Sequence, residues 1–238
     1  MKKHEQLVQD LIGKICQNAI TYKLPSEREL VEKYQLSRFS VRKALSKLEA
    51  IGVVKPKTGS GYYVNTSVIG SPLIYNSITE NSFDDISYKK VQLNKRIPSI
   101  HEMQVFSIGE NDYLWHIKRL RIVQDKITQI EETILPVHLF PKMNEQIIES
   151  SLQKYAISLG LQIDSYLTSY KAVNISADNA NILKCKRSTP AMNITNRGFL
   201  TSGEVFIESD IIDINYQCTY HTKFNNESLQ FRDQHDRD

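Results

Sequence analysis

Leu24-Pro25-Ser26-Glu27-Arg28-Glu29-Leu30 opens the stretch that decides the fold. It continues through Leu36-Ser37-Arg38-Phe39-Ser40-Val41-Arg42-Lys43-Ala44-Leu45 and ends at Gly59-Ser60-Gly61-Tyr62-Tyr63-Val64. Ser26 offers an N-cap and Glu29, three residues on, completes a capping box, which predicts a short helix over roughly 27–34. Ser37 caps a second helix running to about Ala50, with Val41, Ala44, Leu45 and Leu48 as its buried row and Gly52 as its stop. Residues 53–64 then read as two short β-prone runs around a glycine-containing turn, a hairpin.

Upstream, Leu7, Leu11, Ile15 and Ala19 form one i,i+4 row, and Val8, Ile12, Cys16 and Ile20 the next. Together they predict an amphipathic helix of about 16–18 residues, with Cys16 as core packing. Three helices followed by a hairpin is the order of a winged helix-turn-helix. Charge supports a polyanion partner. Residues 1–65 hold nine Lys and three Arg against five Glu and one Asp, so this quarter carries +6 while the whole chain carries only +3.

This segment resembles the DNA-binding domain of the GntR family of bacterial transcription regulators, whose pattern is LPSERELA, then VSRxTVRxALxxL, then GxGxxV. The resemblance implies contact with double-stranded operator DNA. The spacing itself puts Ser37, Arg38, Phe39, Ser40 and Arg42 on the first turn and a half of the recognition helix, opposite the buried row. Arg38 and Arg42, four residues apart, can point along one groove-facing side, and arginine is the usual bidentate reader of guanine. Arg28 resembles the family residue that holds DNA near the base edges. Gly59 lets the hairpin tip approach the duplex, and Lys57, with Lys55, adds charge. Phe39 and Gln35 depart from the family pattern: a thymine-methyl contact or backbone packing replaces a hydrogen bond at Phe39, and Gln35 stands where Gly is common in the turn.

Residues 65–80 are Ser/Asn-rich and read as a linker and hinge; 225–238 read as a polar tail. Between them the β-prone runs are 88–93, 113–123, 127–135, 167–175, 192–200 and 205–214, with helical stretches near 99–107, 142–158 and 176–184. The expected class is α+β: a winged helix-turn-helix over 1–64, then an antiparallel sheet domain with helices over 81–224. Alternation over 113–123 sets Trp115, Ile117, Arg119 and Arg121 on one strand face, where two arginines are costly to bury unless an anion meets them. The turn at Gln124-Asp125-Lys126 leaves the register open between Glu131 and Glu132 opposite Arg119, a three-residue loop giving Glu131. A plain cross-strand ion pair, worth about 0.2–1 kcal/mol, is the alternative to a ligand site.

Arg119-Leu120-Arg121, with Glu131, Thr133 and Leu135-Pro136, is similar to the ligand-sensing UTRA domain of the HutC subfamily, whose fold resembles chorismate lyase. The resemblance implies a pocket for a small anionic effector, often a sugar phosphate. Arg119, Arg121 and Glu131 are carried over first, then Ser82, Ser151 and Glu208. It also implies a homodimer. The ending Asp213–Tyr220 departs from the family's last-strand pattern.

Other classes find little support. Three cysteines without CxxC spacing make no disulfide framework and suit a reducing cytoplasm, and Cys185, between two lysines, has no assignable His partner. No apolar run approaches the ~20 residues of a membrane span. The six histidines form no HxxxH or HExxH pair, and neither a GxSxG nor a Walker loop is present, so no metal, cofactor or catalytic motif is read; a lyase-like enzyme of the same C-terminal fold remains the alternative.

Overall fold

The Ser26 side chain accepts a hydrogen bond from the Glu29 amide, and the Glu29 carboxylate accepts one from the Ser26 N–H, so helix α2 starts at Glu27 and runs Glu27–Tyr34. Ser37 caps α3, Arg38–Ala50, in the same way through the Ser40 amide. Helix α1, Lys3–Cys16, precedes them. In this computed structural model residues 3–66, 73–76 and 85–221 are described. The chain divides into two units, residues 1–80 with 217–238, and residues 81–216.

In the first unit, Leu7, Val8, Leu11, Ile12 and Ile15 of α1 pack with Leu30 of α2 and Val41, Ala44, Leu45 and Leu48 of α3. Helix α1 is shorter than its apolar stripe predicts. Asn18 turns left-handed at φ 57°, a conformation Asn tolerates, and Ile20 reaches the core from beyond the helix end. Strands β1, Val54–Lys57, and β2, Gly61–Val64, form the antiparallel hairpin. Residues 22–24 line its other edge: the Leu24 N–H donates to the Tyr62 carbonyl and the Val64 N–H to that of Tyr22. Within the segment read as a linker lies a strand, β3, Leu73–Asn76, which pairs antiparallel with the last described strand, Cys218–Tyr220. That last strand, placed with the second domain on sequence grounds, therefore groups with the first unit. The 225–238 tail lies outside the described residues.

The second unit contains β4 (Ile86–Arg96), α4 (Ile100–Phe106), β5 (Leu114–Val123), β6 (Lys126–Pro136), α5 (Glu145–Ile148), α6 (Leu152–Ser158), β7 (Ile163–Asn174), α7 (Ala177–Leu183), β8 (Pro190–Leu200) and β9 (Val205–Asp213). With these ranges set, Cys218–Tyr220 is β10. The six strands form one antiparallel sheet in the order β4-β5-β6-β9-β8-β7. One face packs α5 and α6 against Ile117 and Leu135. The other packs α7 against Leu120 and Ile130, and α4 against Leu114 and Ile134. The single helical stretch expected over 142–158 is two helices, because Asn144 and Ser151 each act as an N-cap. The α+β class stands.

Past its first two pairs the β5–β6 hairpin takes the register expected of a three-residue loop, although its turn has two residues. Gln124 and Asp125, at φ 49° and 62°, make a two-residue turn of the primed kind that matches strand twist. Ile122 faces Ile127, but Arg121 faces Gln129, so Thr128 is an extra, bulged residue. Beyond the bulge Arg119 faces Glu131, not Glu132.

Candidate DNA-reading head and effector face

The first site is the exposed side of α3. Val41, Leu45 and Leu48 are buried, which turns Arg38, Phe39 and Arg42 outward; Phe39 is 77% exposed, an unusual place for an aromatic ring unless something covers it. Ser37 and Ser40 sit at the helix start with hydroxyls 3.0 Å apart, Ser37 also holding the cap. Arg28, on α2, is exposed and its Nε donates to Glu32 at 3.0 Å. Arg42 Nε donates to Glu27 at 2.9 Å. Gly59 takes φ 70° at the hairpin tip, with nothing within 4 Å of where a Cβ would stand.

Sequence reasoning missed a cluster beside that tip. Lys57 and Lys23 place their ammonium groups 5.7 and 5.6 Å from the Tyr63 ring centroid, and Tyr22 meets Tyr63 edge-on at 5.2 Å. The Ser60 hydroxyl, 2.5 Å from that of Tyr63, and the two lysines pull the Tyr63 hydroxyl below its ordinary pKa. Cations over an aromatic ring at an exposed hairpin suit phosphate contact. Lys23 precedes the decisive motif, and only the bridge between Lys23 and Tyr63 reveals its place.

The second site is one face of the sheet. Cross-strand partners share a face, so the register sets Arg119 beside Glu131 and Ile211, Arg121 beside Gln129 and Asp213, and Thr133 beside Ser209. Of the described residues, seven polar or charged side chains buried in this unit lie here: Arg119, Arg121, Gln129, Glu131, Thr133, Ser209 and Asp213. Arg119 meets Glu131 through Nε at 2.8 Å and Nη2 at 3.1 Å, and its Nη1 donates to the carbonyls of Ile148 and Ser150, both at 2.9 Å. Its guanidinium lies 4.0 Å from the Tyr88 ring centroid. Thr133 donates to Glu131 at 2.9 Å, which leaves Ser209, also at 2.9 Å, to donate to Thr133. Gln129 donates to Asp213 at 2.6 Å. Burial pushes the Asp213 carboxyl above its ordinary pKa although Gln129, the Asn215 N–H and the Arg121 charge pull it down.

The anion that meets Arg119 is thus the chain's own Glu131, and Arg121 lies near enough to Asp213 for its charge to act on that carboxyl. Arg119, Arg121 and Glu131 come together as expected. Ser151 stands next to them because Arg119 holds the preceding carbonyl, but its hydroxyl caps α6 by accepting from Lys154. Glu208 is not brought together with them. It pairs with Ile134 and Arg197 on the opposite face of the sheet, where it binds the Arg197 guanidinium at 2.6 Å. Ser82 lies outside the described residues. Among the described residues no cluster of three or more His, Cys, Asp or Glu could hold a metal ion, and no helix is long and apolar enough to cross a membrane.

A basic winged helix on one unit and a six-stranded sheet with a buried polar face on the other are the architecture of a DNA-binding transcription regulator. Residues 3–64 match the bacterial regulatory proteins of the gntR family, and residues 84–210, a little over half of the chain, match the UTRA domain. The chain belongs to the GntR family, in its UTRA-carrying, HutC-type branch. It is 26% identical to the HTH-type transcriptional regulator GmuR of Bacillus subtilis (strain 168) over 216 residues, covering 87% of this chain and 91% of that one. It is 27% identical to the mannosyl-D-glycerate transport/metabolism system repressor MngR of Escherichia coli (strain K12) over 192 residues, covering 77% and 78%. The fold is that of the Bacillus subtilis YydK structure, with a TM-score of 0.57 at 22% identity over 94% of this chain and all of that one.

Proposed function

We propose that this regulator is a cytoplasmic repressor whose operator affinity falls when its sheet domain binds a small, polyhydroxylated, anionic metabolite, a sugar phosphate being the simplest of the class. The carrying observation is the polar row on one sheet face. A domain stabilised by burial alone would not gather two arginines, two carboxylates, an amide and two hydroxyls there, since each costs free energy to desolvate. Such a row suits a ligand rich in hydroxyls: Asp213, Gln129, Glu131, Thr133 and Ser209 can exchange hydrogen bonds with them. Arg121 and Arg119 are the groups for the anion, which at Arg119 would compete with Glu131. Two relatives are named for sugar derivatives, mannosyl-D-glycerate and fructoselysine utilization.

On the DNA side, Arg38, Phe39, Ser40 and Arg42 read bases in the major groove, and Arg28, Ser37, Lys57 and Gly59, with Lys23 and Tyr63, hold the backbone. A homodimer would present two such heads to a palindrome. The test is a gel-shift titration on duplexes that the wild-type chain selects from a random pool. Arg38→Ala and Arg42→Ala should each weaken binding by about 1–3 kcal/mol. Adding sugar phosphates to the wild type should release the DNA. Wild-type binding by both variants removes the reading-head assignment, and a thermal-shift screen in which no phosphorylated sugar raises the melting temperature removes the effector class.

A further inference from the structure

Glu27 is the first residue of α2, and Arg42 lies on the outer side of α3, yet the loop between the helices brings them together: Arg42 Nε donates to Glu27 Oε2 at 2.9 Å. The side chains are 40% and 68% exposed, so the pair adds little to stability. Its place is what matters. It sits on the surface that would face DNA, where a carboxylate repels every phosphate. The field of Glu27 also reaches the hairpin: burial first, then Glu49 and Glu27, push the Tyr62 hydroxyl above its ordinary pKa while Arg42 pulls it down. A negative group in this position works against binding unless it does something else.

From this we infer that Glu27 is a specificity-determining positioning residue for the DNA-reading function, and the inference rests on that reading. Engaging Nε fixes the Arg42 rotamer and leaves the terminal Nη fork for the N7 and O6 of a guanine. It also neutralises Arg42 toward phosphates. On unselected DNA the pair counts as zero charge, and binding gains nothing from Arg42. Only a base that satisfies the Nη fork recovers the interaction. Glu27 thereby lowers non-specific affinity more than specific affinity, which is discrimination by an unfavourable group placed against the wrong partner.

The experiment compares the full-length wild type, Glu27→Gln and Glu27→Ala on two probes: a duplex selected by the wild type from a random pool and a shuffled duplex of the same composition. Gln can still accept from Nε but carries no charge. Glu27→Gln should bind the shuffled duplex several-fold more tightly, with the salt dependence of log K steeper by about 0.9, the value for one added phosphate contact. Its affinity for the selected duplex should change less, so the ratio of the two affinities falls. Glu27→Ala should show the same steeper slope and, in addition, weaker binding to the selected duplex, because Arg42 is no longer positioned. A merely structural glutamate would alter melting and leave the slope alone. Equal slopes and equal affinity ratios in wild type and both variants, with melting unchanged, overturn the role of Glu27 while leaving DNA reading intact. A wild type that enriches no sequence overturns both.

Discussion

Gln35 ends α2 in the left-handed region, at φ 52° and ψ 42°, a conformation that costs an L-residue about 1–2 kcal/mol. The turn into α3 requires it. The side chain offsets part of the cost by donating from Nε2 to the Glu32 carbonyl at 2.8 Å. Glycine needs no such compensation, so Gln35→Gly should raise stability by about 0.5–1 kcal/mol, read as a higher urea midpoint at unchanged m. DNA binding should be unaffected, because the recognition helix keeps its cap at Ser37. Arg119 shows the opposite situation. Four described hydrogen bonds hold it to Glu131 and to the Ile148 and Ser150 carbonyls, so the residue that sequence reasoning assigned to a ligand also ties α5 and α6 to the sheet. The pairing with Glu131 was one of two readings that alternation allowed. What alternation could not supply was the bulge at Thr128, which depends on the φ values of a two-residue turn.

Helix α4 is fixed by a capping box in which the Ser99 hydroxyl accepts from the Glu102 N–H and the Glu102 carboxylate accepts from the Ser99 N–H, and Glu102 also receives two bonds from Arg96 at 2.8 and 2.5 Å. Arg96 first, then the bonds from Ser99, hold the Glu102 carboxyl down at about 2 against the pull of burial. A depressed carboxyl binds fewer protons folded than unfolded. Its contribution is therefore complete above its ordinary value of about 4.5 and disappears as pH falls through about 2. Glu102→Gln should cost about 1–3 kcal/mol at pH 7, and the gap between variant and wild type should close between pH 4.5 and pH 2 in urea melts. Elements of this local kind were legible. Capping boxes at Ser26 and i,i+4 rows in α1 and α3 lie within a few residues of each other. The β3–β10 pairing was not, because its partners stand more than a hundred residues apart and neither strand is long. That Glu208 stands on the other face from Arg119, Arg121 and Glu131 was not legible for a related reason. Along β9 Ile207, Ser209, Ile211 and Asp213 are buried while Glu208, Asp210 and Ile212 are partly or fully exposed. The residue types hide this alternation, because polar Ser209 and Asp213 lie on the buried side and apolar Ile212 on the other; the pairing of Ser209 with Thr133 tells which parity faces the polar row.

At the scale of the whole chain, the polar row is where stability and response oppose each other. Burial holds Asp213 above its ordinary pKa even with an amide, a backbone N–H and an arginine beside it, so the folded domain carries its charged form at a net cost. The sign follows from proton binding: between the ordinary value and the raised one the folded state holds more protons, and stability falls as pH rises through that window. Asp213→Asn removes the charge and keeps the shape. It should melt at or above the wild-type temperature at pH 7, and its melting should lose the decline that the wild type shows across that window. If the row is an effector site, the same substitution should weaken effector binding, since a hydroxyl partner has been changed, while leaving operator affinity without effector as it was. Effector and operator are then linked reciprocally. A metabolite that lowers operator affinity five- to 150-fold, about 1–3 kcal/mol, must itself bind that much more weakly to the DNA complex. Titrating effector into free and DNA-bound protein by calorimetry reads both sides of that equality. An Asp213→Asn variant that is destabilised yet responds normally would make the row structural, and an effector whose affinity ignores DNA would uncouple the two units.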